Sequence, residues 1–170
     1  KKNLAEAFAA FENTLETSNS KFDDWGNNKI KLSKSEERGR QIFLSDKAKC
    51  FDCHLQVDFT NDDFKNIGLF DAKKLNDSGR YKITGDKEDI GKFKTPGLRN
   101  IAVTAPYMHN GMFKTLEEVV DFYNDVKKVV PDVINLDPSL IKPLGLTPQE
   151  KKDLVAFLKT LTDRQYVKSK

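Results

Sequence analysis

Cys50-Phe51-Asp52-Cys53-His54 gathers both cysteines of a 170-residue chain, and one of its two histidines, into five consecutive residues. C-x-x-C-H is the pattern through which a haem is attached covalently. Each thiol adds to one vinyl group of the porphyrin, and the adjacent imidazole falls beneath the iron as its proximal ligand. Other uses of these residues fit less well. A structural zinc site needs four ligands, and outside the motif only His109 remains, with no further cysteine. A redox dithiol calls for a βαβ setting that the flanking sequence lacks. A disulfide across two residues closes a small, strained loop.

Working outward, Ser33 with Glu36 three residues later forms a capping-box signature. It predicts a helix through Gly39 and Phe43 to about Leu44. Residues 55–114 carry many Gly, Asp and Asn breaks and little periodicity, which reads as loop with short helical turns and a polar loop or hairpin over 73–87. A further helix is predicted from Thr115 to about Lys127, with Leu116, Val119, Val120 and Tyr123 on one stripe. Thr147-Pro148-Gln149-Glu150 supplies the cap, the N1 proline and the N3 acid of the last helix. Its buried face is Leu154, Phe157, Leu158 and Leu161. At the other end, Leu4, Phe8, Phe11 and Leu15 fall at helical spacing, before turn formers at Ser18-Asn19-Ser20 and Gly26-Asn27-Asn28. No internal repeat is evident.

The order helix, haem motif, irregular wrap, helix, terminal helix resembles a small c-type cytochrome. The fold class expected is therefore mainly α: a cytochrome c-like helical domain wrapped around one covalent haem, with an N-terminal linker helix. In such a fold the first and last helices cross closely, and Gly39 and Phe43 are expected to meet Leu154 and Phe157 there. Residues 1–30 are assigned to a helix and linker from a preceding domain, 31–165 to the haem domain, and 166–170 to a frayed tail.

Composition restricts the function further. Net charge is +3, from 29 basic and 26 acidic residues, and no long basic block argues for nucleic acid. No apolar run approaches the length of a membrane span. Hydrophobic residues make up 38% against 32% charged, a modest core that an apolar porphyrin would enlarge. The start shows no signal peptide. Covalent attachment at this motif ordinarily takes place outside the bacterial cytoplasm, so a periplasmic or otherwise extracytoplasmic location is expected, with the start read as processed or truncated.

Phe93-Lys94-Thr95-Pro96-Gly97-Leu98-Arg99-Asn100, then Thr104-Ala105-Pro106-Tyr107-Met108-His109-Asn110-Gly111, then Thr115-Leu116-Glu117-Glu118-Val119-Val120 closely resembles the bacterial di-haem cytochrome c peroxidase family. Its members show F-K-x-P-x-L-R-N, L-T-x-P-Y-x-H-[DN]-G and T-L-E-E-[AV]-V. The opening Ala9-Ala10-Phe11-Glu12-Asn13-Thr14-Leu15 is similar to the stretch joining that family's two haem domains. The resemblance implies a C-terminal, electron-transfer half, since a second C-x-x-C-H is missing. It also implies partners: an N-terminal peroxidatic haem domain and a small electron-donor protein, with a homodimer as a further partner to consider. A free-standing single-haem carrier or sensor is the competing expectation, and exposure or burial of Phe8, Phe11 and Leu15 separates the two. A third, raised by Tyr123, is an enzyme that oxidises a large substrate.

The sixth iron ligand stays open among Tyr123, Met108, Met112 and His109. In the family's peroxidases a methionine stands three residues past the second valine, where this chain has Tyr123. That departure resembles the related di-haem enzyme that matures tryptophan tryptophylquinone. A phenolate is a hard donor that favours oxidised iron more than a thioether does. The resemblance makes His109 a neighbour of a propionate or of the interdomain surface, and places two backbone ligands of a calcium ion at Thr104 and Pro106, a partial site needing further oxygens. Arg99 is a candidate for a forked pair with a propionate. A carbonyl near Pro96 is a candidate acceptor for the His54 Nδ1–H. Trp25 reads as a packing anchor.

Overall fold

A computed structural model describes residues 2–55 and 57–166. The expected tail falls mostly on 167–170, outside the described residues. The helices are α1 (Lys2–Glu12), α2 (Lys21–Gly26), α3 (Lys34–Phe43), α4 (Tyr81–Thr84), α5 (Leu116–Asn124), α6 (Val126–Val129) and α7 (Pro148–Lys159), joined by short 3-10 turns. The only paired strands among the described residues are β1 (Phe64–Lys65) and β2 (Phe93–Lys94), antiparallel with Phe64 opposite Lys94. The molecule is thus helix-dominant.

Four helices begin with a reciprocal capping box: Ser20 with Asp23, Ser33 with Glu36, Thr115 with Glu118 and Thr147 with Glu150. Each box satisfies amide donors that a helix start otherwise leaves orphaned. The helix expected to run to Lys127 breaks at Asp125, which leaves helical geometry (φ −156°) and caps α6 with its own carboxylate.

The domain is organised by the crossing of α3 on α7. A Cβ built on Gly39 would lie 1.9 Å from the Asp153 carbonyl oxygen and 2.8 Å from Phe157 Cβ, so only glycine admits this approach. Phe43 and Phe157, both 1% exposed, lie with ring centroids 5.3 Å apart, and Phe59 and Phe22 complete a cluster of tilted and edge-on rings. A second apolar cluster of Leu69, Phe122, Val126 and Val130 lies on the other side of α5. α5 therefore buries Phe122, beyond the single stripe its periodicity suggested.

The division expected at residue 30 moves toward the N terminus. Phe22 packs on Phe59 and Phe157, and its amide donates to the Thr160 carbonyl. The Asn19 amide donates to Asp163 Oδ2 at 3.0 Å, and Ser20 is buried. Residues 19–26 thus belong to the domain rather than to a linker. α1 buries no residue at all.

Candidate haem-attachment site

Cys50 to His54 form one helical turn in which the Cys53 and His54 amides both donate to the Cys50 carbonyl, at 3.3 and 2.9 Å. This turn brings both thiols and the imidazole into one short stretch of backbone. Both cysteines are free and partly buried. Burial pushes the Cys50 thiol up to about 12 and the Cys53 thiol upward as well. Neither has the depressed pKa that activates a redox dithiol.

His54 Nδ1 lies 2.9 Å from the Phe59 carbonyl oxygen. A carbonyl can only accept, so Nδ1 carries the proton and the Nε2 lone pair is left for a metal. Burial pushes the imidazole pKa down, and the carbonyls of Phe59 and Pro96 oppose that shift. The ring is thereby held neutral, the state a ligand must have. Pro96 does bear on the imidazole, but the hydrogen bond at 2.9 Å goes to Phe59, which sequence reasoning missed. Phe59 adopts a left-handed backbone (φ 56°), uncommon for a bulky residue. Its buried ring, locked among Phe22, Phe43 and Phe157, maintains that conformation and aims the carbonyl.

Tyr123, near the end of α5, packs beside the second apolar cluster and 5.5 Å from the Phe122 ring. Burial, then the nearby Cys53 and Cys50 thiols, push its phenol well above the ordinary value. The hydroxyl is therefore within electrostatic reach of the C-x-x-C-H turn, and no hydrogen bond to it is found among the described residues. A partly buried phenol oxygen that feels both thiols of the motif has the chemistry of an axial ligand. These residues fit a covalently held haem.

The remaining candidates lie elsewhere or are otherwise engaged. Met108, at φ 72°, packs against the same cluster as Tyr123, whereas Met112 is exposed with its sulfur 3.8 Å from Asn110 Nδ2. His109 is exposed and stacks on Phe93, centroids 3.7 Å apart and planes 9° from parallel. Arg99 Nη1 donates to both Asp23 oxygens, at 3.0 and 3.2 Å, and its Nε to Asp58 at 3.2 Å. Burial acts upward on Asp23, but Ser20 and Arg99 outweigh it and leave the carboxyl below its ordinary value. The Arg99 fork is thus filled by two carboxylates, and the residue lines an open cleft of about 460 Å³ beside α2 that none of Cys50, Cys53, His54 or Tyr123 lines. Thr104 and Pro106 lie on an exposed segment. Among the described residues no cluster of three or more acidic, cysteine or histidine side chains is placed to hold a metal ion. Trp25 is an anchor, with its ring 5.4 Å from Phe22 and the Arg40 guanidinium 4.8 Å over it.

Comparison with known proteins finds consistent relatives. A cytochrome-c peroxidase, IdrP1, of Denitromonas iodatirespirans is 36% identical over 92% of this chain and 48% of its own length. The crystal structure of a MauG-like protein associated with microbial copper homeostasis superposes with a TM-score of 0.80 at 37% identity, covering 89% of this chain and 50% of that one. The diheme peroxidase BthA from Burkholderia thailandensis superposes with a TM-score of 0.77 at 27% identity, covering 91% and 49%. The chain spans about half the length of the curated relatives it matches. No family model matches the sequence.

Proposed function

This chain belongs to the bacterial di-haem cytochrome c peroxidase family, and from that premise we propose that it is the C-terminal, electron-transfer haem domain of a peroxidase-type enzyme. It takes electrons from a small donor protein and relays them toward a peroxide-reducing haem on a preceding domain, in the bacterial periplasm. Peroxide turnover belongs to the two-haem assembly and not to these residues alone. The observation that carries this reading is the single turn that presents Cys50, Cys53 and His54 together, with the His54 Nδ1 held by the Phe59 carbonyl.

Bound through Cys50 and Cys53, a haem c supplies one-electron redox chemistry. The chain supplies ligation and environment. His54 offers Nε2 from a ring whose tautomer is fixed by the Phe59 carbonyl, which also raises its basicity. Tyr123 would offer a phenol oxygen from α5, where it packs partly buried beside the second apolar cluster. A phenolate there favours the oxidised state. Met108, in the same apolar cluster, is the alternative donor.

Replacing Tyr123 by Phe in the haem-loaded protein is expected to change the ferric absorbance and magnetic-resonance spectra. Unchanged spectra would remove Tyr123 from the coordination sphere and favour Met108. The haem-loaded chain by itself is expected to turn over peroxide negligibly with a reducing donor, and brisk turnover would reassign it as the peroxidatic half. Among the described residues no helix is long and apolar enough to cross a membrane.

A further inference from the structure

The carbonyl that accepts from His54 Nδ1 belongs to a residue outside every helix and strand. Phe59 stands in a turn at φ 56°, a conformation that a bulky residue keeps only where its surroundings over-determine it. Its two neighbours are pinned. The Asp58 carbonyl accepts from the Leu98 amide at 3.3 Å, and Thr60 Oγ1 donates to the Thr95 carbonyl at 2.7 Å. These bonds fix where the segment lies; the direction of the carbonyl between them depends on where the Phe59 ring is held.

Three rings hold it. Phe22 is the nearest, with centroids 5.3 Å apart, followed by Phe43 at 5.8 Å and Phe157 at 6.3 Å. Phe43 and Phe157 are needed by the α3–α7 crossing in any case. Phe22 comes from α2, is only partly buried, and lines the open cleft with Trp25 at its side. Its amide donates to the Thr160 carbonyl at 3.1 Å. Arg99 then joins the residues beside the two rings: Asp23, which follows Phe22, at 3.0 and 3.2 Å, and Asp58, which precedes Phe59, at 3.2 Å. The guanidinium that the sequence offered to a propionate thus clamps α2 to the turn that carries the carbonyl.

We propose that Phe22 is a positioning residue for the proximal ligand: its ring keeps the Phe59 carbonyl on His54 Nδ1, and through that hydrogen bond it holds the haem potential down. The inference rests on the covalent haem of the reading above, with His54 as its ligand, and adds a residue that acts on that ligand through another. A carbonyl accepting the Nδ1–H makes the imidazole a stronger donor, which favours ferric iron. Hydrogen bonding around an axial ligand is one of the protein's levers on a haem potential. Loosening the Phe59 ring therefore weakens the donor and raises the potential.

Spectroelectrochemical titration of the complete, haem-loaded gene product tests this at the haem held by Cys50 and Cys53. Phe22→Ala should lower the preference for ferric over ferrous iron by about tenfold, an upward shift of ~59 mV for one electron. In the same variant the His54 Nδ1–H should exchange faster with solvent, read by magnetic resonance. Phe22→Leu keeps most of the bulk against Phe59 and should stay near the parent in both readouts. Ser35→Ala removes a neutral donor to the buried Asp153, so it weakens the crossing without touching a ring and should leave the potential alone. If Phe22→Ala does not accumulate, Phe22→Val should give a smaller shift in the same direction. A parental potential in the smaller-side-chain variant obtained would overturn the proposal, as would shifts of equal size in Phe22→Leu or Ser35→Ala. Protein lacking covalent haem would defeat the proposed function too, whereas an attached haem whose potential ignores Phe22 defeats this inference alone.

Discussion

The α3–α7 crossing and the wrap over residues 57–114 lie in one domain but are held by different means. At the crossing, every contact is supplied by the chain: the Gly39 approach, the phenylalanine cluster and a buried Asp153 with its donors Ser35, Arg38 and Gln149. The wrap has two two-residue strands and depends on single polar staples. Asn66, 2% exposed, is the clearest: its Nδ2 donates to the carbonyls of Ile90 and Ile134 at 3.0 and 2.9 Å, and its Oδ1 accepts from the Gly68 amide at 2.9 Å. The crossing can form from its own side chains. The wrap contains the imidazole's carbonyl partners and is expected to lean on a bound porphyrin for part of its apolar contact.

The harshest test of that difference removes both thiols. Cys50→Ser with Cys53→Ser should abolish covalent haem, read as lost mass. Hydrogen-exchange protection over 57–114 should then fall at least ~10-fold while α3 and α7 keep theirs. Equal loss in both regions would show that the crossing also needs the prosthetic group.

Gly39→Ala attacks the other region. Its methyl would meet backbone, which cannot rotate away, so the helices must separate and loosen the phenylalanine cluster. A cost of about 3 kcal/mol is expected in denaturant unfolding, at the upper end of ordinary overpacking. A loss below about 1 kcal/mol would mean that the crossing yields cheaply. Asn66→Ala should cost somewhat less, about 2 kcal/mol, by leaving buried backbone groups without partners. Its damage should be concentrated in exchange of residues 66–91 and spare α7.

How legible each region was follows from the same contrast. The helices of the crossing announce themselves locally: Ser33 with Glu36, Thr147 with Pro148 and Glu150, and apolar residues at helical spacing. Gly39 and Phe43 facing Leu154 and Phe157 could be anticipated because both pairs lie within regular helices. The Ser20–Asp23 box is just as local, yet it was obscured by turn-forming neighbours, and so α2 was read as linker. The C-x-x-C-H turn is explicit in sequence because covalent attachment fixes its spacing. The Phe59 carbonyl is different. A backbone oxygen has no residue signature, and its aim depends on a left-handed residue locked by rings from three other segments. Arg99 was readable as an anion-binding group, but its two carboxylates, Asp23 and Asp58, are distant in sequence and come together only through the fold. α1 follows its pattern as a helix, with Phe8, Phe11 and Leu15 left exposed.

The smallest expected effect is electrostatic and sharpens the account of the crossing. Asp153 is held at about 2, first by the Arg38 hydrogen bonds, against an opposing contribution from burial and with further help from Ser35 and Gln149. A carboxyl whose folded pKa lies below its unfolded value stabilises the fold above the ordinary carboxylate range and loses that contribution as pH falls through the folded value. Stability should therefore decline from about pH 4 toward pH 2 as this group protonates. Arg38 is half exposed, so solvent screens the pair, and Arg38→Ala should lower Tm by only roughly 3 °C at neutral pH. The sharper readout is the slope. Without the guanidinium the folded pKa of Asp153 rises toward its unfolded value, and the acid-dependent loss should flatten. Parallel Tm-against-pH curves for the two proteins would show that Ser35 and Gln149 hold Asp153 low against its burial, with Arg38 only lying alongside.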